Sequence, residues 1–220
     1  MPTYEPFALL PCITNDTGGL EVRRAAVSTG EDSELIPRVR GGDLAAFEAL
    51  YDKYKGQVYR TALAITHDQS AAEDILQECF LRVYAHIDKI DVSLPLSPWI
   101  HRVVVNLSYN WVTKRQRWLP SSLGEVIDQF VGDRYGSPEY IWEREESQRI
   151  VQEAIHSLSF AQRVVVVLFY LNGFSLEEIA YILDCPVGTV KSRLYYARQN
   201  LRRKLEADKR LPAGVAYEFP

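Results

Sequence analysis

No stretch of this 220-residue chain approaches the roughly 18 consecutive apolar residues that a membrane-spanning helix needs. The longest apolar run, Val164 to Leu168 with Phe169, is far too short. The N-terminus lacks a basic segment followed by an apolar one, so no secretory signal is expected. There are three cysteines, Cys12, Cys79 and Cys185. None belongs to a C-x-x-C pair, and the odd count argues against a disulfide framework. The four histidines, His67, His86, His101 and His156, are scattered without metal-ligand spacing, which argues against a structural zinc site. A glycine-rich phosphate loop and a nucleophile motif are also missing, so neither an enzyme nor a cofactor is expected. No β-alternation of useful length and no internal repeat is present. These absences leave an all-α protein, reduced, cytoplasmic, metal-free and without membrane insertion.

The charge that is present is segregated. Net charge is −4, with 25% charged residues, which by itself speaks against a polyanionic partner. From Thr189 to Leu205, however, the charges are Lys191, Arg193, Arg198, Arg202, Arg203 and Lys204, with no acid among them. Between Trp111 and Trp118 stand Lys114, Arg115 and Arg117, again without an acid. Acids collect at Glu139, Glu143, Glu145, Glu146 and Glu153. Two basic patches on an acidic chain suggest two contacts with nucleic acid, the alternative being solvated helix faces.

The pattern is helical almost throughout. Residues 1–32 show little periodicity and read as a flexible N-terminal extension. Asp43 caps a helix from Leu44 to about Thr66, ended by the turn His67-Asp68-Gln69-Ser70. Ser70 opens a second helix to about Ile87, and Pro98 a third to about Arg117. Pro120, Gly124, Gly132, Gly136 and Pro138 mark residues 118–137 as a linker between domains 33–117 and 138–206. A tail, 207–220, follows, expected to be frayed.

In the second block, Ser175-Leu176-Glu177-Glu178 has the form of a capping box. Leu176, Ile179, Ala180 and Leu183 then form an apolar stripe, and Asp184-Cys185-Pro186 breaks the helix. In the following helix Val190, Leu194, Ala197, Leu201 and Leu205 share one face. The opposite face centres on Ser192, Tyr195, Tyr196 and Gln199, flanked by Lys191 and Arg198 on one side and Arg193 and Asn200 on the other. Two helices joined by a tight turn, the second polar and basic outside, suit reading of the major groove; the alternative is a helical hairpin with a basic solvent face.

Three segments then fall together: Leu158-Ser159-Phe160-Ala161-Gln162-Arg163-Val164-Val165, Gly173-Phe174-Ser175-Leu176-Glu177-Glu178-Ile179-Ala180, and Pro186-Val187-Gly188-Thr189-Val190-Lys191-Ser192-Arg193-Leu194. They resemble region four of the extracytoplasmic-function (ECF) sigma factors. Gly42-Asp43-Leu44-Ala45-Ala46-Phe47, Ala72-Glu73-Asp74-Ile75-Leu76-Gln77-Glu78-Cys79-Phe80 and Trp99-Ile100-His101-Arg102-Val103-Val104-Val105-Asn106 resemble region two. Two positions depart from the family pattern: Cys79, where a small aliphatic residue is usual, and Asn110, where an acid is common.

The resemblance implies a transcription initiation factor that binds core RNA polymerase, melts the downstream (−10) promoter element and reads the upstream (−35) element. An anti-sigma factor is a further possible partner. On the second helix Asp74, Gln77, Glu78 and Leu81, with Tyr84, turn away from the apolar stripe of Ala72, Leu76, Cys79, Val83 and Ile87. They form the candidate polymerase-binding face, an apolar centre within a polar rim. On the third, Arg102, Asn106, Asn110, Thr113 and Arg117 lie along one stripe, joined by Lys114 from the basic patch. Asn can hydrogen-bond the edge of an unpaired base, and Arg can stack on it or pair with phosphate. The preceding loop, Ile90 to Ser97, is a candidate pocket for an extruded base. For the upstream element the candidates are Thr189, Lys191, Ser192, Arg193, Tyr195, Tyr196, Arg198 and Arg202. The competing reading is a helix-turn-helix regulator that is not a sigma factor.

Overall fold

In the computed structural model, residues 30–118 and 142–208 are described. They form eight α-helices and no strand: α1 Gly30–Arg40, α2 Leu44–Thr66, α3 Gln69–Ala85, α4 Leu96–Trp118, α5 Trp142–His156, α6 Phe160–Val166, α7 Leu176–Leu183 and α8 Val187–Ala207. A short 3-10 turn, Ile87–Lys89, follows α3, and a π-helical segment, Val167–Leu171, continues α6.

The helix ends follow from local chemistry. Asp43 Oδ1 accepts from the amides of Ala45 and Ala46 at 3.0 and 3.2 Å. Its other oxygen accepts two bonds from Arg38, at 3.0 and 2.7 Å. This ties α1 to the start of α2, across a bend that Gly42 permits with φ +86°. His67 ends α2 in the left-handed conformation, and Asp68 then caps α3 through the Ala71 amide at 2.9 Å. The capping box at Ser175 is complete: Glu178 N–H donates to Ser175 Oγ, and Ser175 N–H donates to Glu178 Oε2.

Two buried clusters result. Leu50, Val58, Ala62, Ala72, Cys79, Val83, Ile100 and Val104 lie in the first, built from α1 to α4. Burial pushes the Cys79 thiol up to about 12. The second gathers Ile150, Leu158, Val164 to Leu168, Ile179, Val190, Leu194 and Leu201 from α5 to α8. Ile65 of α2 and Val105 of α4 belong to this second cluster, so the two halves share an interface.

Some boundaries differ from expectation. Gly30 to Asp32, assigned to the N-terminal extension, belong to α1, and residues 1–29 lie outside the described residues. Asp32 is buried and accepts from Tyr54 Oη at 2.6 Å and Lys53 Nζ at 2.7 Å. Trp118, placed in the linker, ends α4, and Ala207, placed in the tail, ends α8. The second helix begins at Gln69 and stops at Ala85, with Ile87 in the 3-10 turn, and Leu76 is only half-buried. The rest of the expected linker, 119–137, and of the tail, 209–220, lies outside the described residues. Among the described residues no helix is long and apolar enough to cross a membrane.

Candidate polymerase and nucleic-acid interfaces

On α3 the periodicity decides the outer face. Asp74, Gln77 and Leu81 are exposed, Leu81 by 66%, with Tyr84 beside them. Glu78 is half-buried and accepts a bond from Arg82 Nε at 2.8 Å. An exposed leucine and tyrosine inside a ring of acids and an amide can dock on a protein surface by burying apolar area and matching basic groups at the rim.

The stripe on α4 is covered at one end and open at the other. Asn110 and Lys114 are exposed and Asn106 is half-buried, whereas the side chain of Arg102 is only 18% exposed. Arg117 lies on the helix, with its side chain outside the described residues. Thr113 Oγ1 donates to the carbonyl of Tyr109 at 2.8 Å and so faces its own helix. Arg115 stacks over Trp111 at 5.2 Å and reaches Asp68 at 3.4 Å. The loop before α4 is held from two sides. Arg40 donates to the carbonyls of Ile87 and Ile90, and Asp91 accepts from the Ser93 amide and hydroxyl at 2.9 and 2.7 Å. The backbone bond from Ser93, then the bond from its hydroxyl, holds the Asp91 carboxyl below its usual range.

In the helix-turn-helix, α8 buries Val190, Leu194, Ala197, Leu201 and Leu205 and exposes Lys191, Ser192, Tyr195, Tyr196 and Arg202. Thr189, Arg193 and Arg198 are half-buried. Arg198 donates to Tyr170 Oη at 2.8 Å and stacks over Phe169 and Tyr170. Arg202 is tied to Glu206 at 2.7 Å, a pair open to solvent. Asp184, left-handed at φ 49°, turns the chain from α7 toward α8.

The sequence gives no sign of the contacts between the two halves. Arg102 of α4 meets α7: it donates to the Tyr181 carbonyl at 3.2 Å, stacks over the Tyr181 ring and reaches Asp184 at 3.4 Å. Asn172, just after the π segment, donates to Thr61 Oγ1 at 2.8 Å and to His101 Nε2 at 3.1 Å. An amide NH₂ can only donate, so Nε2 is the acceptor and Nδ1 carries the proton, donated to Ser97 O at 2.8 Å. Burial lowers His101 to about 4, an effect that its bond to Ser97 opposes. Phe174 packs edge-on against the same ring. Farther along, the rings of His67 and His156 meet at 4.5 Å. Burial, then His156 and Arg163, lower His67 to about 3. Buried polar groups at these distances have to be matched to one another or replaced by water.

Two helical units, the second a helix-turn-helix with a basic outer helix, define an all-α DNA-binding architecture. Comparison with known proteins narrows this. Residues 50–118 match Sigma-70 region 2, and residues 148–201 match Sigma-70, region 4. The chain is 34% identical over 182 residues to the ECF RNA polymerase sigma-E factor of Escherichia coli, covering 80% of this chain and 94% of that one. It is 34% identical over 177 residues to the ECF RNA polymerase sigma factor SigW of Bacillus subtilis, covering 77% and 94%. Its fold is similar to that of CnrH in complex with the cytosolic domain of CnrY, at TM-score 0.60 and 21% identity over 81% of this chain and 99% of that one. It is also similar to the sigma factor RpoE of Bartonella quintana in complex with the anti-sigma factor NepR, at TM-score 0.56 and 26% identity over 74% and 98%. The chain therefore belongs to the ECF sigma factors of the sigma-70 family. A regulator outside that family would leave the region 2 match over residues 50–118 without explanation.

Proposed function

We propose that this chain binds core RNA polymerase through Asp74, Gln77, Glu78 and Leu81. It takes unpaired bases of the downstream promoter element on Arg102, Asn106, Asn110, Lys114 and Arg117. It reads the upstream element in duplex form with Thr189, Lys191, Ser192, Arg193, Tyr195, Tyr196, Arg198 and Arg202. The observation that supports this best is α8, which turns one apolar face into the core and sets Lys191, Ser192, Tyr195 and Tyr196 outward next to the turn at Asp184. A helix so presented fits the major groove, its early residues nearest the base edges and its later arginines nearest phosphate.

The work is binding, and the polymerase supplies the bond-making. Residues 33–117, extended back to Gly30 by α1, act on polymerase and melted DNA; residues 138–206 act on the duplex; residues 118–137 join them. The place of action is the cytoplasm. An anti-sigma factor is its further partner, a reading supported by the NepR-bound relative.

The test is transcription with purified core polymerase and this chain. Promoter-specific starts are expected, whereas modulation of an existing holoenzyme alone would reject the reading. Permanganate footprinting refines it. Asn106→Ala should reduce open-complex formation more than closed-complex binding, by about 1–3 kcal/mol for a lost base contact. Equal loss of both would remove Asn106 from the melted-DNA site.

A further inference from the structure

Arg40 is held in place by its own helix. It is the last residue of α1, which closes behind it in a Schellman motif: Asp43 N–H donates to the Arg38 carbonyl at 3.1 Å, and Gly42 N–H to the Val39 carbonyl at 2.9 Å. Gly42 takes the left-handed conformation that this motif requires. The body of α1 is pinned to α2 by buried Ile36 and Val39 and by the bond from Tyr54 Oη to Asp32. The backbone from which the Arg40 side chain starts is therefore rigid.

The guanidinium reaches the segment before α4. Nε donates to the Ile87 carbonyl at 3.1 Å and Nη2 to the Ile90 carbonyl. These oxygens stand at the start of the 3-10 turn and at the first residue of the Ile90–Ser97 loop. Among the described residues, the loop's other bonds run between near neighbours. Ile90 N–H donates to the Ile87 carbonyl at 3.3 Å, Leu94 N–H to the Asp91 carbonyl at 3.1 Å, and Ser93 twice to the Asp91 carboxylate. Local bonds shape a loop without fixing where it lies against the rest of the unit. Buried Ile90 and Leu96 anchor the two ends. The Arg40 fork, 50 positions from Ile90 in the chain, adds direction, because two donors on two carbonyls leave no hinge where a single bond would. Between the anchors Ser93 and Leu94 are exposed.

We propose that Arg40 is a positioning residue for promoter melting, holding the Ile90–Ser97 loop in the shape that receives an extruded base. The proposal rests on reading that loop, with α4, as the seat of an unpaired base. α1 lies before residues 50–118, which match Sigma-70 region 2, so an element outside that match acts on the DNA site through the loop. A base that leaves the stack gives up its neighbours, and a seat that still had to be ordered would subtract further from its binding. A loop already held needs no such ordering. Arg40 is itself exposed, so its bonds compete with water and add little to the stability of the unit. Its loss should move the loop and leave the fold. Lysine would keep the charge and lose the planar pair of donors.

Two readouts on the full chain test this. The first is hydrogen exchange of residues 87–97 in the free chain, read by peptide mass spectrometry. Arg40→Ala should exchange about tenfold faster there and at the parent rate in α2 and α3, the size expected when charge-assisted bonds partly open to water are lost. The second uses holoenzyme reconstituted with purified core polymerase, and a DNA single strand carrying a randomised segment, whose bound fraction is sequenced. Arg40→Ala should keep its affinity for core polymerase, bind the selected strands about tenfold more weakly, and lose preference at one position. Arg40→Lys should behave in the same way. The triple variant Val92→Gly, Ser93→Gly, Leu94→Gly alters the loop directly and should lose the same preference. Unchanged exchange over 87–97 in Arg40→Ala would overturn the proposal. So would an unchanged preference in Arg40→Ala beside a lost one in the triple variant, which leaves the reading of the loop in place. Full recovery by lysine, with a salt dependence flattened by about one unit in Arg40→Ala, would also overturn it, because Arg40 would then be neutralising a phosphate. A preference that survives in the triple variant would overturn the reading of the loop, and the proposal with it. Should circular dichroism show Arg40→Ala unfolded, Arg40→Lys carries the same test.

Discussion

Arg163 of α6 donates to the main-chain oxygen of Ile65, at the end of α2, across 2.7 Å. The same guanidinium donates to the carbonyls of His156 and Leu158 at 2.8 and 3.1 Å. One side chain thus closes the C-terminal end of α5 and joins it to the first unit. A planar fork with five donors can serve three carbonyls at once, which an ammonium group cannot do in the same geometry. Arg163→Ala should lower the unfolding free energy by about 2–4 kcal/mol, since buried carbonyls lose charge-assisted donors. Arg163→Lys should recover only part of it. Urea unfolding measures both, and a loss of under about 0.5 kcal/mol for the alanine variant would mean that water replaces the guanidinium freely.

Acid should weaken the fold before its carboxylates protonate. His101 and His67 sit near 4 and 3, against an ordinary 6.5. Between 6.5 and those values the unfolded chain binds protons that the folded one excludes, so stability falls as pH drops through that window and the contribution levels off below it. For buried His101 the difference amounts to about 3 kcal/mol between neutral pH and about pH 4. Replacing it by glutamine should flatten the pH profile of urea unfolding over that range. An unchanged slope would show that His101 is protonated in the folded chain.

The recognition helix should separate base reading from charge neutralisation. Lys191 and Ser192 lie in the first turns of α8, whereas Arg202 lies two turns or more later. Substituting Lys191 or Ser192 should alter which upstream sequences are preferred. Arg202→Ala should weaken binding almost equally across sequences and flatten the logarithmic salt dependence by about one unit. A panel of upstream-element variants checks this. If Arg202 variants change the ranking while Ser192 variants keep it, the helix lies in the groove the other way round.

Leu81→Arg should weaken binding to core polymerase without loss of helicity, because the position is exposed. A central apolar anchor of an interface typically costs about 2 kcal/mol or more when replaced. Surface plasmon resonance against immobilised core polymerase reads the change. Full affinity in the folded variant would return this face to ordinary surface.

What could be read from the sequence was local. Asp43 and Ser175 announce their helices because cap and first turn are neighbours in the chain, and Val190 to Leu205 announce a buried face because period and burial coincide. α1 was hidden for the opposite reason. It contains Pro37, and its buried Asp32, satisfied by Tyr54 and Lys53, interrupts the apolar pattern. The π segment at Val167–Leu171 carries no residue type that distinguishes it from a continued α-helix. The contact of Arg102 with Tyr181 spans 79 positions, and that of Asn172 with His101 spans 71. No spacing rule reaches so far, and a polar residue on a helix reads the same whether solvent or another helix lies opposite. Leu81 and Tyr84 were different: their exposure followed from the helical period of α3 alone.

Cys79 lies fully inside the first unit, and its thiol stays protonated to about 12. An alkylating reagent needs the thiolate and a path to it, and the folded unit offers neither. The residue is therefore a built-in clock: pulses of iodoacetamide report how often α3 leaves its neighbours, without any label being introduced. Half-buried Cys185 stands at the turn between α7 and α8 and follows the second unit in the same tube. One mass spectrum per time point then tells whether the two halves loosen together or in succession.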